Sequence, residues 1–366
     1  MSVPLNDLKR AALREREALH AALSRVADSG WYILGEEVRR FEAGFARYVG
    51  VTHAVGVGNG TDAIELALRA LGAGPGRDVV TAANAGGYAS AAIRRCGARP
   101  VYADVSEATM CVDAASVAAA LTPATAAVIA THLYGRLADV AGIAALCASH
   151  GVPLVEDCAQ AHGAARDGRR AGSFGRIGCF SFYPTKNLGA LGDAGAVVTD
   201  DTGLDASLRA LCQYGWRDKY DVRVAGGVNS RLDELQAVVL SLRLAALDER
   251  NARRRSIARR YSERIRHAAI AVPDASGDDY VAHLYVVRTP ARASLQAHLA
   301  HRGIATDVHY PIPDHRQSAY AADRQRALPV TERLAAEVLT LPCFPELSDD
   351  EADRVIEACN DWRTGN

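Results

Sequence analysis

The chain has 366 residues, 49% of them hydrophobic, which is enough to bury a large core in one sizeable domain with a smaller companion. Its 42 Lys and Arg against 43 Asp and Glu leave a net charge of -1, so no global field draws it to nucleic acid or to an anionic membrane, and any anionic ligand must be held locally. The charged, amphipathic first residues lack a signal-peptide core and no apolar run approaches the ~18 residues of a membrane span, so a soluble, cytoplasmic protein is expected.

From about residue 51 to 200, short apolar runs alternate with helical patterns. Strands are predicted over 54–57, 79–81, 100–103, 127–131, 153–156, 179–183 and 196–199. Because these runs are apolar nearly throughout, they suit strands covered on both faces in a mostly parallel sheet, whose ligands sit beyond the strand ends. A long helix is predicted over about 233–267, leading into a small α+β domain. That domain has strands over 283–288 and near 304–309, and helices over 293–301, 331–339 and 348–359. Ser348-x-x-Glu351 is a capping box that opens the last helix. The domain division is placed at 1–245 and 246–366. The eight cysteines lack C-x-x-C spacing and several lie in apolar runs, which reads as reduced structural thiols and no metal site.

Three stretches carry possible chemistry. Gly56-Val57-Gly58-Asn59-Gly60-Thr61-Asp62-Ala63 joins a strand to an apolar helix. Glycines let the backbone approach an anion and the helix start offers free amides, so it suits a phosphate cradle as well as a plain strand-to-helix turn. In Val155-Glu156-Asp157-Cys158-Ala159-Gln160-Ala161-His162, two acids end a buried strand. A carboxylate there can keep a pyridine nitrogen protonated, the task assigned to Asp157, although a helix N-cap needs the same residue type. Gln160 can hydrogen-bond a ring hydroxyl, and His162 is either its supporting neighbour or a core histidine. Phe180-Ser181-Phe182-Tyr183-Pro184-Thr185-Lys186-Asn187 ends a strand on an isolated lysine. Taken alone, Lys186 reads as a surface residue. Yet Lys9, Lys186 and Lys219 are the only lysines in an arginine-rich chain, and arginine cannot form an imine.

In this order the three stretches resemble fold-type I pyridoxal-phosphate (PLP) enzymes, and more narrowly the DegT/DnrJ/EryC1/StrS family of sugar aminotransferases. The resemblance runs nearly end to end. It includes Ser29-Gly30-Trp31-Tyr32, His132-Leu133-Tyr134-Gly135, Gly192-Asp193-Ala194-Gly195, Asn229-Ser230-Arg231-Leu232-Asp233-Glu234 and His309-Tyr310-Pro311. It implies an aspartate aminotransferase-like α/β fold, with a large domain built on a mostly parallel mixed sheet between helices and a small α+β C-terminal domain. It also implies that Lys186 carries PLP as a Schiff base, Asp157 holds the pyridine nitrogen, and Gln160 faces the ring hydroxyl. Gly60, Thr61 and Ser181 would bind the phosphate. Asn229 would reach the phosphate of a neighbouring subunit, which implies a homodimer with shared active sites. His309, Tyr310 and His315 match a segment near the sugar nucleotide, and the loop of Arg217, Lys219 and Arg223 is the nearest cation source for its pyrophosphate. The chain departs from the family at Asn84-Ala85-Gly86-Gly87-Tyr88, where glycines replace an expected ring-stacking aromatic and Tyr88 either supplies the stacking from a shifted position or packs in its helix.

The implied reaction moves an amino group from glutamate, through pyridoxamine phosphate (PMP), to a keto group of a nucleotide-linked sugar. A dTDP-3-keto-6-deoxyhexose is favoured over a 4-keto sugar or a cyclitol. A sugar dehydratase of the same fold would carry histidine where Lys186 stands. A catalytically silent PLP-fold sensor is the alternative of another class, and the intact set of Lys186, Asp157, Gln160 and Ser181 argues against it.

Overall fold

The computed structural model describes residues 2–320 and 327–363. A seven-stranded sheet forms the centre. Its strands are β1 (His53–Val57), β2 (Asp78–Ala82), β3 (Arg99–Ala103), β4 (Thr125–Thr131), β5 (Leu154–Asp157), β6 (Ile177–Ser181) and β7 (Gly195–Thr199). The spatial order is β1-β7-β6-β5-β4-β2-β3, with β7 antiparallel to both neighbours and the other pairings parallel. β2, β4, β5 and β7 are buried at every residue, as unbroken apolar runs require when helices cover both faces. All seven predicted strands fall within two residues of the observed ones, and the one predicted over 179–183 stops at Ser181 because the chain then turns toward Lys186.

Separate apolar cores lie on the two faces of the sheet. One is built around Val57, Leu66, Ile93 and Ile129, the other around Phe41, Phe45, Phe180 and Phe182. A third core, with Tyr261, Tyr285, Leu295 and Phe344, belongs to the C-terminal part. There β8 (Tyr285–Arg288) pairs antiparallel with β9 (Val338–Leu341).

The C-terminal part differs from expectation in three places. The long helix is two, Glu234–Leu244 and Leu247–Arg264. Ala237 and Leu240 of the first pack on the large-domain core, while Ile257, Ala258 and Tyr261 of the second pack on the C-terminal core, and one straight apolar stripe cannot face both. The helix predicted over 331–339 runs from Pro329 to Glu337. Val338 onward is drawn into β9, where β-branched Val338 and Thr340 suit a ladder with β8. The strand expected near 304–309 is reduced to two isolated bridges, Ile304 with Val3 and Asp307 with Thr340, because the N-terminal segment takes one side of it. The capping box of the last helix is formed, with Ser348 Oγ accepting from the Glu351 amide at 3.1 Å and Glu351 accepting from the Ser348 amide at 2.9 Å. All eight cysteines are buried and unpaired, and no described helix is long and apolar enough to cross a membrane.

One buried acid ties the N-terminal helices to this frame. Glu234 accepts the amides of Gly35 at 2.8 Å, Glu37 at 2.9 Å and Val38 at 2.9 Å, capping the helix Glu36–Val49 from another element. Glu234→Ala leaves those amides without a partner and is expected to cost about 2 to 4 kcal/mol in urea unfolding.

Candidate active site

A cavity of about 600 Å³ opens at the C-terminal ends of the parallel strands, the position at which such sheets bind ligands. Its walls come from the ends of β4, β5 and β6, the start of the helix Gly60–Ala70, and the C-terminal part. Thr131, Asp157, Gln160, Ser181 and Lys186 line it together.

Strand geometry separates the two adjacent acids. Successive side chains on β5 point to opposite faces. Glu156 turns into the protein and accepts the amides of Gly172 at 2.9 Å, Phe174 at 2.7 Å and Gly175 at 2.6 Å, with His132 Nε2 at 3.0 Å. His132 Nδ1 accepts the Ala138 amide at 3.1 Å, so its proton sits on Nε2 and is donated to Glu156. These bonds occupy the His132 and Glu156 members of the buried trio His132, Glu156 and Cys158, whose ligand atoms come within 4.8 Å of one another. Asp157 faces the cavity instead. It has two long bonds, from Thr131 Oγ1 at 3.3 Å and from the Ala159 amide at 3.2 Å, and so keeps acceptor capacity for a ligand.

Burial pushes the Asp157 carboxyl above its usual range, while the Ala159 amide and the Lys186 charge pull it back. Burial lowers the Lys186 amine to about 8, and the Asp157 charge opposes that shift. An amine with that value is in part neutral, hence nucleophilic, near physiological pH. Tight packing fixes Gln160: its Oε1 accepts the Tyr134 amide at 2.6 Å and its Nε2 donates to the Tyr310 hydroxyl at 2.9 Å, leaving one Nε2 proton for the cavity. Tyr134 reaches this position with φ of 59°, and its hydroxyl donates to the His309 carbonyl.

At the other end of the cavity, Asn59 caps the helix Gly60–Ala70 by accepting the Asp62 amide at 2.9 Å. The Gly60 and Thr61 amides have no acceptor among the described residues, and Ser181 stands beside them. A Cβ on Gly60 would lie 2.5 Å from Ser181 Cβ, so only glycine fits there. Free helix-start amides with a hydroxyl, a buried acid and an amine of lowered pKa fit a phosphorylated pyridine carrying an aldehyde.

The remaining sequence-derived residues divide. Tyr88, His309 and Tyr310 line the cavity, and Tyr88 is half-exposed, its ring 6.1 Å from that of Tyr310 and nearly perpendicular to it. Gly86 makes room for Tyr310, because a Cβ there would sit 2.7 Å from its ring. His315 does not line the cavity. It is fully buried and held by Glu332 at 2.9 Å, a packing position. Arg217 and Lys219 are exposed on the hairpin of Trp216–Asp218 and Asp221–Val222, and neither they nor exposed Asn229 reach the cavity of their own chain. His162 is a core residue, its ring packed against Phe180 and Phe182 and held neutral by burial at about 3.

Sequence reasoning passed over Leu5, Asn6, Tyr183, Asp193 and His283, all of which line the cavity. Tyr183 and Asp193 fall inside stretches already singled out. The others come from distant parts of the chain that only folding brings here.

The model of the DegT/DnrJ/EryC1/StrS aminotransferase family matches residues 13–360. The dTDP-3-amino-3,4,6-trideoxy-alpha-D-glucose transaminase of Streptomyces venezuelae is 46% identical over 364 residues, 98% of this chain and 96% of that protein. The crystal structure of S. venezuelae DesV in complex with a ketimine intermediate superposes with a TM-score of 0.96 at 45% identity, covering 100% of both chains. The structure of NtdA from Bacillus subtilis with bound cofactor PMP gives 0.92 at 30% identity, covering 98% of this chain and 84% of that one.

Two consequences are testable. Gly60→Ala forces Ser181 and the helix start apart and is expected to weaken PLP binding about tenfold or more by fluorescence titration, with a stability loss of about 1 to 3 kcal/mol. The Lys186 amine is lower in the fold than in the unfolded chain, so it costs stability fully below pH 8 and not at all above 10.5. Cofactor-free Lys186→Met should therefore be about 2 kcal/mol more stable than wild type at pH 7, with the gain vanishing as the pH rises through that window.

Proposed function

The chain belongs to the DegT/DnrJ/EryC1/StrS aminotransferase family, and from that membership we propose that it transfers the amino group of glutamate to a nucleotide-linked keto sugar, most directly a dTDP-3-keto-6-deoxyhexose, in amino-sugar biosynthesis. The observation that carries the reading is the meeting of Lys186, Asp157, Gln160, Ser181 and the free amides of Gly60 and Thr61 in one cavity. The name of the Streptomyces venezuelae relative, a 3-amino sugar on dTDP, supports both the nucleotide and the position of the new amine.

PLP, when bound, supplies an electron sink that lets an amino-acid carbon give up its proton. The residues here hold and exploit it. Gly60, Thr61 and Ser181 take the phosphate on amide and hydroxyl donors. Asp157 would accept the pyridine N–H, and its burial would strengthen that ion pair. Gln160 would donate its remaining Nε2 proton to the ring oxygen, and Tyr88 would pack on the ring. Lys186 would anchor the cofactor, and its amine would move the proton to and from the substrate carbon. Its value of about 8 suits an amine that must both accept and return a proton. His309 and Tyr310 lie where the sugar would sit.

A second copy of the chain completes the arrangement. Asn229 and the hairpin bearing Arg217 and Lys219 are exposed and do not line their own cavity, and they would serve the partner's phosphate and the sugar-nucleotide pyrophosphate. Exposed Trp31, Tyr32 and Leu191 offer apolar surface for that dimer. Eight unpaired buried thiols suit the reducing cytoplasm.

Glutamate should convert the PLP enzyme to the PMP form, seen as loss of near-visible absorbance. In a panel of dTDP- and UDP-linked 3-keto and 4-keto sugars, the dTDP-3-keto-6-deoxyhexose should restore that absorbance fastest. Lys186→Ala should abolish turnover and borohydride-fixed labelling by PLP. Full transamination by that variant, or no response of wild type to glutamate, would overturn the assignment.

A further inference from the structure

His283 lines the cavity just before β8, is 6% exposed, and has no part in the chemistry assigned above. Its protonation state can be read from a chain of bonds anchored on main-chain carbonyls. Asn251 Nδ2 donates to the His162 carbonyl at 2.7 Å, which turns Asn251 Oδ1 toward Asn187. Asn187 Nδ2 then donates to Asn251 Oδ1 at 2.8 Å and to the Val281 carbonyl at 3.2 Å, which uses both of its protons. The Asn187 oxygen is therefore the group that faces His283 Nδ1 at 3.1 Å, and Nδ1 must be the donor. Nε2 is left with a bare lone pair. It has no hydrogen-bond partner among the described residues, and it is not one of the side-chain atoms sealed away from the cavity.

The groups that act on this ring are Lys186, Arg254, His162 and His309, each of which can only disfavour a second proton. With burial they keep the imidazole neutral. His283 is thus a rigid, uncharged acceptor on the wall that Lys186 shares, and Asn187, which orients it, is the residue next to Lys186.

A lysine amine swings on a flexible four-carbon stem and gains precision only from what its N–H bonds meet. A second carboxylate would hold it but would also raise its pKa and keep it charged. A neutral nitrogen fixes direction with a smaller electrostatic effect. We propose that His283 is a positioning residue for Lys186: no bond joins the two in this structure, but when the flexible Lys186 stem swings to the His283 side of the cavity they both line, the free Nε2 accepts a hydrogen bond from the amine and so aims its lone pair at the substrate carbon. The inference rests on Lys186 being the proton carrier proposed above.

Two substitutions separate the halves of the ring. His283→Asn keeps a donor near the Nδ1 position and loses the acceptor, while His283→Gln places an amide oxygen near Nε2 and loses the bond to Asn187. The first readout needs no cofactor. It is the pH dependence of acetic anhydride labelling of Lys186 in cofactor-free protein, resolved by mass spectrometry from Lys9 and Lys219, the only other lysines.

A neutral acceptor favours the ammonium, so H283N should lower the Lys186 labelling midpoint by about one pH unit and H283Q should restore at least half of that shift. In turnover, kcat should fall about tenfold for H283N with KM for glutamate within about threefold, and H283Q should recover most of the rate. A purely structural histidine predicts the reverse order, with H283N like wild type and H283Q impaired, and that result would overturn the proposal. Should H283N fail to fold, the 15N shift of His283 Nε2 in the unmutated protein decides: it must be of the unprotonated type and move as Lys186 titrates, and a protonated or unresponsive Nε2 overturns the proposal. Failure of the aminotransferase reading itself would appear separately, as wild type that glutamate does not convert.

Discussion

The opposition of Lys186 and Asp157 across a buried cavity sets the terms for the rest of the molecule. Each group is driven toward its neutral form by burial, and each is partly returned to its charged form by the other. That balance survives only if neither side chain can retreat into water. The sheet provides the rigidity: β5 and β6 are parallel neighbours with Asp157 opposite Cys179, so the acid and the turn that carries the lysine leave adjacent strands at a fixed separation. Because both faces of the sheet are covered, the strand ends are the place where polar side chains can meet without sacrificing a ladder bond.

Neighbouring acids with opposite duties follow from the period of a strand. Glu156 is spent on structure, binding three amides of the 172–175 turn and the protonated nitrogen of His132, while Asp157 keeps acceptor capacity in reserve. The two tasks are coupled. His132 is pinned by Glu156 at one ring nitrogen and by Ala138 at the other, and its amide donates to the Asp157 carbonyl at 3.0 Å, so the buttress on one face holds the backbone of the cavity-facing acid on the other. A carboxylate buried with four donors is satisfied and inert. One with two long bonds is available.

Much of this was legible in the sequence. The central strands announced themselves as continuous apolar runs, and the acid, glutamine, serine and lysine that line the cavity lie in motifs placed just after those runs. Local pattern could not decide what depends on contact between distant segments. A helical pattern over 233–267 is satisfied equally by one helix or two, and the break appears only because its halves serve different cores. Helical spacing near 338 gives way to a strand because β8 offers Val338–Leu341 a partner. His315 and Tyr310 sit in one short motif, yet one is packed under Glu332 and the other reaches Gln160, a difference set by which side of the turn meets the sheet. His283, Leu5 and Asn6 carried no motif at all, since their importance comes from the cavity they happen to wall.

The contrast between Lys186 and Arg254 explains why an arginine-rich chain retains a lysine here. Burial lowers the pKa of both. Arg254 begins so high that it keeps its charge, and its Nη1 spends that charge on the carbonyls of Ala282 at 3.3 Å, His283 at 3.3 Å and Cys343 at 2.6 Å. It is a clamp on the main chain that leads into β8. Lys186 begins lower, and the same environment brings its amine into the range where it can lose a proton and regain it. Burial therefore leaves a permanent cation on one residue type and a titratable amine on the other. The clamp holds the backbone of His283, on the wall that Lys186 shares, so the residue that cannot titrate steadies the surroundings of the one that does.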